Sequence, residues 1–119
     1  MIFLDTCLLI DYSKEKINLK IKQNNYCISS IVQLEFKVGA RDKRELKSIN
    51  KIISEFKQLD TDQNILNLAN DIIEKYSLSH GIGIYDAIIA ATCLIYKLPL
   101  LTYNKKDFKF IENLKLINS

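Results

Sequence analysis

With 119 residues, the chain has the length of one ordinary domain and can bury a core without disulfide or metal staples. Its 48% apolar and 26% charged residues describe a globular protein, and no apolar run nears the roughly 20 residues that a membrane-spanning helix needs. The formal charge of +3 is compatible with a nucleic-acid partner, but a lysine-rich solvated surface accounts for it without one.

The chain opens with Ile2-Phe3-Leu4, a continuous apolar run that suits a central parallel strand buried on both faces. A helix is expected from Thr6 to Tyr12. The polar stretch Lys14–Asn25, with Ile17, Leu19 and Ile21 spaced through it, reads as a surface helix. Tyr26-Cys27-Ile28 reads as a second strand. Ser29 and Ser30 offer N-caps to a helix that runs to about Val38 and stops near Gly39. Lys43–Phe56 has Leu46, Ile49, Ile52, Ile53 and Phe56 at helical spacing, apolar enough to meet either the core or a partner.

Gln58-Leu59-Asp60 is read as a short strand. Thr61 or Asp62 then caps a helix whose stripe is Ile65, Leu68, Ala69, Ile72, Ile73 and Tyr76. Gly81 and Gly83 punctuate a loop. Tyr85–Lys97 is a strongly apolar helix, and Ala87, Ala90 and Ala91 would let it approach a sheet closely. Pro99-Leu100-Leu101-Thr102 and Leu114-Lys115-Leu116-Ile117 complete the strands. This alternation implies an α/β/α sandwich around a mostly parallel sheet.

The three cysteines, Cys7, Cys27 and Cys93, sit in apolar surroundings with no CxxC or Cys/His cluster. They read as reduced, buried thiols rather than a disulfide framework or a zinc site. Met-Ile-Phe-Leu leads straight into Asp5 with no basic n-region or cleavage site, so a cytoplasmic location is expected.

The informative residues are acids at positions where apolar residues are expected. Asp5 ends the first strand, and open parallel sheets bind ligands beyond the carboxyl ends of their strands. Capping the next helix would explain it equally. Glu35 falls on the expected apolar stripe of its helix, with Ile31, Leu34 and Val38, so burial demands a charged partner, a metal or an edge position. Asp86 opens a helix whose inward face includes Ile89, Ala90 and Cys93, where the helix dipole alone would favour an acid. If the three acids converge, their mutual repulsion demands a cation. Oxygen donors without His or Cys favour Mg²⁺ or Mn²⁺, the equipment for phosphodiester hydrolysis by a metal-activated water. Asn104 is expected in the loop beyond the strand that ends near Thr102, with Asp107 close behind. It could contribute a carbonyl oxygen or serve only as a turn residue.

Four segments carry a family resemblance: Phe3-Leu4-Asp5-Thr6, Ser29-Ser30-Ile31-Val32-Gln33-Leu34-Glu35-Phe36, Tyr85-Asp86-Ala87-Ile88-Ile89-Ala90-Ala91-Thr92, and Leu101-Thr102-Tyr103-Asn104-Lys105-Lys106-Asp107-Phe108. In this order the chain resembles PIN-domain ribonucleases, and among them VapC-type toxins of toxin–antitoxin pairs. The resemblance implies a single PIN-like domain over residues 1–119 and a Mg²⁺- or Mn²⁺-dependent endoribonuclease. It also implies a homodimer and inhibition by a small cognate antitoxin. Asp5, Glu35 and Asp86 match the family's metal-binding acids, and Asn104 its fourth catalytic position. Thr6 and Thr102 match supporting hydroxyls.

The chain departs from the pattern in three places. The fourth position is Asn104 rather than Asp, which weakens the site's charge or makes Asp107 a substitute. Tyr103 stands where a basic residue is common. Arg41 and Arg44 are the only arginines, so phosphate contacts fall to lysines, of which Lys105 and Lys106 are the candidates. A haloacid-dehalogenase-like phosphatase would need a second Asp where Cys7 stands, and a P-loop nucleotide binder would need a Gly-rich loop after the first strand. The remaining rival is a PIN-like module that binds RNA or protein without cleaving.

Overall fold

The computed structural model describes residues 1–19 and 25–117. Its elements in chain order are β1 (Ile2–Leu4), α1 (Thr6–Ser13), β2 (Tyr26–Ser29), α2 (Ser30–Val38), α3 (Lys43–Ile53) and β3 (Lys57–Leu59). These are followed by α4 (Gln63–His80), α5 (Ile84–Tyr96), β4 (Leu100–Leu101), a 3₁₀ turn (Lys105–Asp107) and β5 (Leu116–Ile117). The strands form one sheet in the order β3-β2-β1-β4-β5. Every pairing is parallel. This is the expected α/β architecture with helices flanking a parallel sheet.

The strand order explains why the first apolar run is so hydrophobic. β1 is the central strand, and its Phe3 and Leu4 are fully buried. From β1 the chain builds outward to β2 and β3, then returns to the other side of β1 for β4 and β5. The reversal lies between β1 and β4. At such a switch point the connections leave in opposite directions and open a crevice beyond the strands' carboxyl ends. Asp5 and Thr102 follow those two strands directly.

On the other elements, α5 packs its alanines as the sequence suggests. Ala87, Ala90 and Ala91 are fully buried, and α4 lies alongside. Gly81 closes α4 in the left-handed conformation, at φ 67°, where a residue without Cβ is favoured. Asp62 caps α4 by accepting from the Ile65 N–H at 3.0 Å.

Several expectations need correcting. α2 does not bury Ile31, Leu34 and Val38 as one stripe. Its core side is Val32 and Phe36, while Leu34 is 56% exposed and Val38 84%. The helix is rotated so that the i, i+4 pair Val32–Phe36 meets the sheet, and Glu35 falls on the border of that face, half-buried. The surface helix expected over Lys14–Asn25 is absent from its described part. α1 ends at Ser13: the Lys14 N–H bonds the Ile10 and Asp11 carbonyls, Glu15 takes φ 58° and the Lys16 N–H returns to the Asp11 carbonyl, a left-handed stop that needed no glycine. Residues 20–24 of that stretch lie outside the described residues.

α3 stops at Ile53, and Phe56 reaches the core from the following turn. β3 begins one residue earlier than expected, and the core claims Ile49, Ile53 and Phe56 of that stripe, while Leu46 and Ile52 are partly buried. All three cysteines are free thiols, but Cys7 is only half-buried.

Candidate active site

Asp5 stands at the head of α1 with an extended backbone, so its carboxylate can fold back on its own helix. Oδ1 accepts from the Thr6 N–H at 2.8 Å, and Oδ2 accepts from the Thr102 hydroxyl at 2.7 Å. Asp5 therefore caps α1 with one oxygen, while the other meets Thr102 at the neighbouring strand end. It is 6% exposed.

Two hydroxyls link Asp5 to its surroundings. Thr6 donates to Glu35 Oε1 at 3.0 Å, tying the start of α1 to α2. Thr102 is fully buried; while donating to Asp5 it accepts from the Asn104 N–H at 3.0 Å. The backbone N–H can only donate and the carboxylate oxygen accepts, so the Thr102 hydroxyl accepts from Asn104 and gives its proton to Asp5. Cys7 Sγ lies 4.0 Å from the same hydroxyl, and burial pushes its thiol up, so it keeps its proton at neutral pH.

Asp86 sits in the first turn of α5, behind the Gly83 N-cap. A helix N-terminus should lower its pKa. Instead its carboxyl is pushed up to about 6, first by burial and then by the negative charges of Asp5, Asp107 and Glu35. Burial and Asp5 also raise Glu35, against the opposing hydrogen bond from Thr6. Four carboxylates thus feel one another at one end of the sheet. The ion pairs seen among the described residues, Arg41–Glu45 and Lys75–Glu112, include none of them.

The structure therefore brings together Asp5, Glu35, Asp86, Thr6 and Thr102, with Asp107 within electrostatic reach. Asn104 joins through its backbone N–H; its exposed side chain makes no hydrogen bond among the described residues. Lys105, Lys106 and Asp107 form the 3₁₀ turn that follows, pinned by fully buried Phe108. Tyr85 and Tyr103, neighbours in sequence of Asp86 and Thr102, are 52% and 43% exposed.

Sequence reasoning read Ser29 as an N-cap of α2, and its side chain does not act as one. It takes the N-cap position of α2 but makes no capping bond, and its fully buried hydroxyl has no partner. The missing capping bond is a tertiary property that a single sequence does not reveal.

The donor set suits a hard divalent cation: hydroxyl-supported carboxylates, mutually repelling and without cationic partners among the ion pairs seen. Among the described residues no three His, Cys, Asp or Glu side chains already stand close enough to hold an ion unaided. A cation here would thus draw on water and substrate oxygens as well, as Mg²⁺ commonly does.

A parallel α/β sheet with acids gathered at its switch point defines a class of protein that presents carboxylates to a ligand beyond the strand ends. A family model described as "PIN domain" matches residues 2–113, and the chain belongs to that family. Among its relatives, Ribonuclease VapC of Rickettsia bellii is 30% identical, over 98% of this chain and 94% of the relative. Ribonuclease VapC1 of Rickettsia felis is 32% identical with the same coverage. DNA-bound VapBC from Salmonella typhimurium superposes with a TM-score of 0.84 at 27% identity, covering 98% of both chains. VapBC2 from Rickettsia felis, bound to a DNA fragment from their promoter, gives 0.83 at 26% identity, covering 100% of this chain and 99% of that one.

Proposed function

We propose that this chain is a Mg²⁺- or Mn²⁺-dependent endoribonuclease and the toxin of a type II toxin–antitoxin pair, acting in the cytoplasm as a homodimer restrained by a small antitoxin. The observation that carries the nuclease reading is the convergence of Asp5, Glu35 and Asp86 at the switch point, with Asp86 raised to about 6 first by burial and then by its acidic neighbours. Full-length similarity to proteins named ribonucleases, and to VapBC structures, supports the RNA substrate and the antitoxin partner.

In this reading Asp5, Glu35 and Asp86 hold the metal, with Asn104 or Asp107 at the fourth position. When bound, the metal supplies an activated water and stabilises charge on the leaving oxygen. The chain's own residues prepare that chemistry. Thr102 fixes Asp5 through its hydroxyl, and Thr6 holds Glu35 against the same cluster. Lys105 and Lys106, in the turn beside Asn104, are candidates for phosphate contacts. The exposed rings of Tyr85 and Tyr103 offer stacking faces to unpaired bases.

The test is cleavage of RNA by the pure protein with Mg²⁺ or Mn²⁺, with and without EDTA, beside Asp5→Asn. Metal-dependent cleavage that falls at least 100-fold in the variant supports the reading. Absence of cleavage of total RNA with either metal, together with no toxicity on expression, removes it.

A further inference from the structure

Ser29 and Thr61 are the buried hydroxyls that lack a hydrogen-bond partner among the described residues. A buried hydroxyl without a partner lowers stability, so its retention calls for a ligand or a local explanation. Helix capping would be the local explanation for Ser29, but its side chain makes no capping bond to α2.

Strand register shows where Ser29 stands. β1 pairs with β2 through Ile2↔Tyr26 and Phe3↔Cys27, and with β4 through Phe3↔Leu100 and Leu4↔Leu101. Continued in step, Asp5 lies between Ser29 on one side and Thr102 on the other. Paired residues of parallel strands project from the same face. The Thr102–Asp5 bond of 2.7 Å verifies this on the β4 side, as does the Asp5 N–H bond to the Leu101 carbonyl at 3.1 Å. Ser29, Asp5 and Thr102 therefore form a row across three strand ends. It lies on the face that also carries Cys27, two residues before Ser29 on β2. Thr102 both donates and accepts, whereas Ser29 has no hydrogen-bond partner among the described residues.

We propose that Ser29 is a positioning residue for a hydrated divalent cation held by Asp5, its hydroxyl oxygen accepting a hydrogen bond from one of the ion's waters. This rests on the metal-dependent reading above. A Mg²⁺ or Mn²⁺ ion bound by few carboxylates keeps several waters, and their strongly polarised protons need acceptors. Ser29 offers one that has no other partner among the described residues.

The experiment is a titration of the full chain with Mn²⁺ alone, followed by electron paramagnetic resonance, together with thermal unfolding of the metal-free protein. Ser29→Ala should weaken Mn²⁺ binding by about tenfold. In the metal-free state it should also raise Tm, by about 4 °C, because it removes a hydroxyl with no partner. A merely structural serine predicts the opposite sign in stability and no change in affinity. Mn²⁺ affinity within twofold of the wild type overturns the proposal, and so does a lower metal-free Tm. Ser29→Cys, close in size and a weak hydrogen bonder, should repeat the loss of affinity. If wild-type protein binds no Mn²⁺ even at millimolar concentration, the metal-dependent reading itself fails, a result distinct from equal binding by wild type and variant.

Discussion

Asp86 holds its proton up to about pH 6 because its carboxyl is half-buried and faces Asp5, Asp107 and Glu35. A raised folded-state pKa means that the folded protein binds the proton more tightly than the unfolded chain does. The charged form therefore strains the fold, and metal-free stability should fall as pH rises from about 4 to 6. The full shift corresponds to about 3 kcal/mol, which partial exposure reduces to about 1–2 kcal/mol. Asp86→Asn should accordingly raise the metal-free Tm at pH 7 by several degrees while lowering cleavage by at least 100-fold, as read by calorimetry and an RNA assay. The same proton competes with the metal. Mn²⁺ affinity should drop about tenfold between pH 7 and pH 5, measured by titration at fixed ionic strength.

Thr102 makes a matching case without a charge. Thr102→Val keeps the shape but strands both the Asn104 N–H and one Asp5 oxygen. A loss of about 1–3 kcal/mol is expected in denaturant unfolding, with weaker Mn²⁺ binding. Thr102→Ser should restore both. These residue-scale contacts were legible in part. The acids and both threonines stood out in the sequence, but Ser29 read as a helix cap, because nothing local distinguishes a capping serine from one that makes no capping bond.

Among the elements, α2 is the instructive one. Its sequence, Ser30-Ile31-Val32-Gln33-Leu34-Glu35-Phe36-Lys37-Val38, carries apolar residues on more than one side, so periodicity alone admits several rotations. Packing chose the Val32–Phe36 side and left Leu34 and Val38 in solvent. Val38→Lys should therefore change unfolding free energy by no more than about 0.5 kcal/mol, whereas Phe36→Ala should cost about 3 kcal/mol. A large loss from Val38→Lys would mean that the helix is rotated the other way. Glu35 owes its half-buried border position to this rotation, which lets it reach Thr6 while still sensing Asp5. α5 was easier to read, because its apolar and small residues leave no polar face along most of its length and full burial was the remaining solution.

At the scale of the whole molecule, the site is an encounter of distant segments. Asp5 and Thr102 are 97 residues apart, and Thr6 and Glu35 are 29 apart. A cation binding such a cluster would stabilise the fold by mass action, by about 2.7 kcal/mol at a hundredfold excess over its Kd. Mn²⁺ should therefore raise Tm, EDTA should reverse the rise, and Asp5→Asn should abolish most of it. The alternation of strands and helices, the buried first strand and the suspicion attached to three acids were all written in local pattern, since apolar runs and their spacing report burial wherever the chain folds. That pattern could not say which oxygen of Asp5 meets Thr102, how α2 turns, or that Ser29 stands beside Asp5. Those depend on strand order and register, which arise from long-range pairing and have no counterpart in neighbouring residues. Asp5, Glu35 and Asp86 were each explicable singly as caps or edge residues; only the parallel order β2-β1-β4 sets their charges against one another.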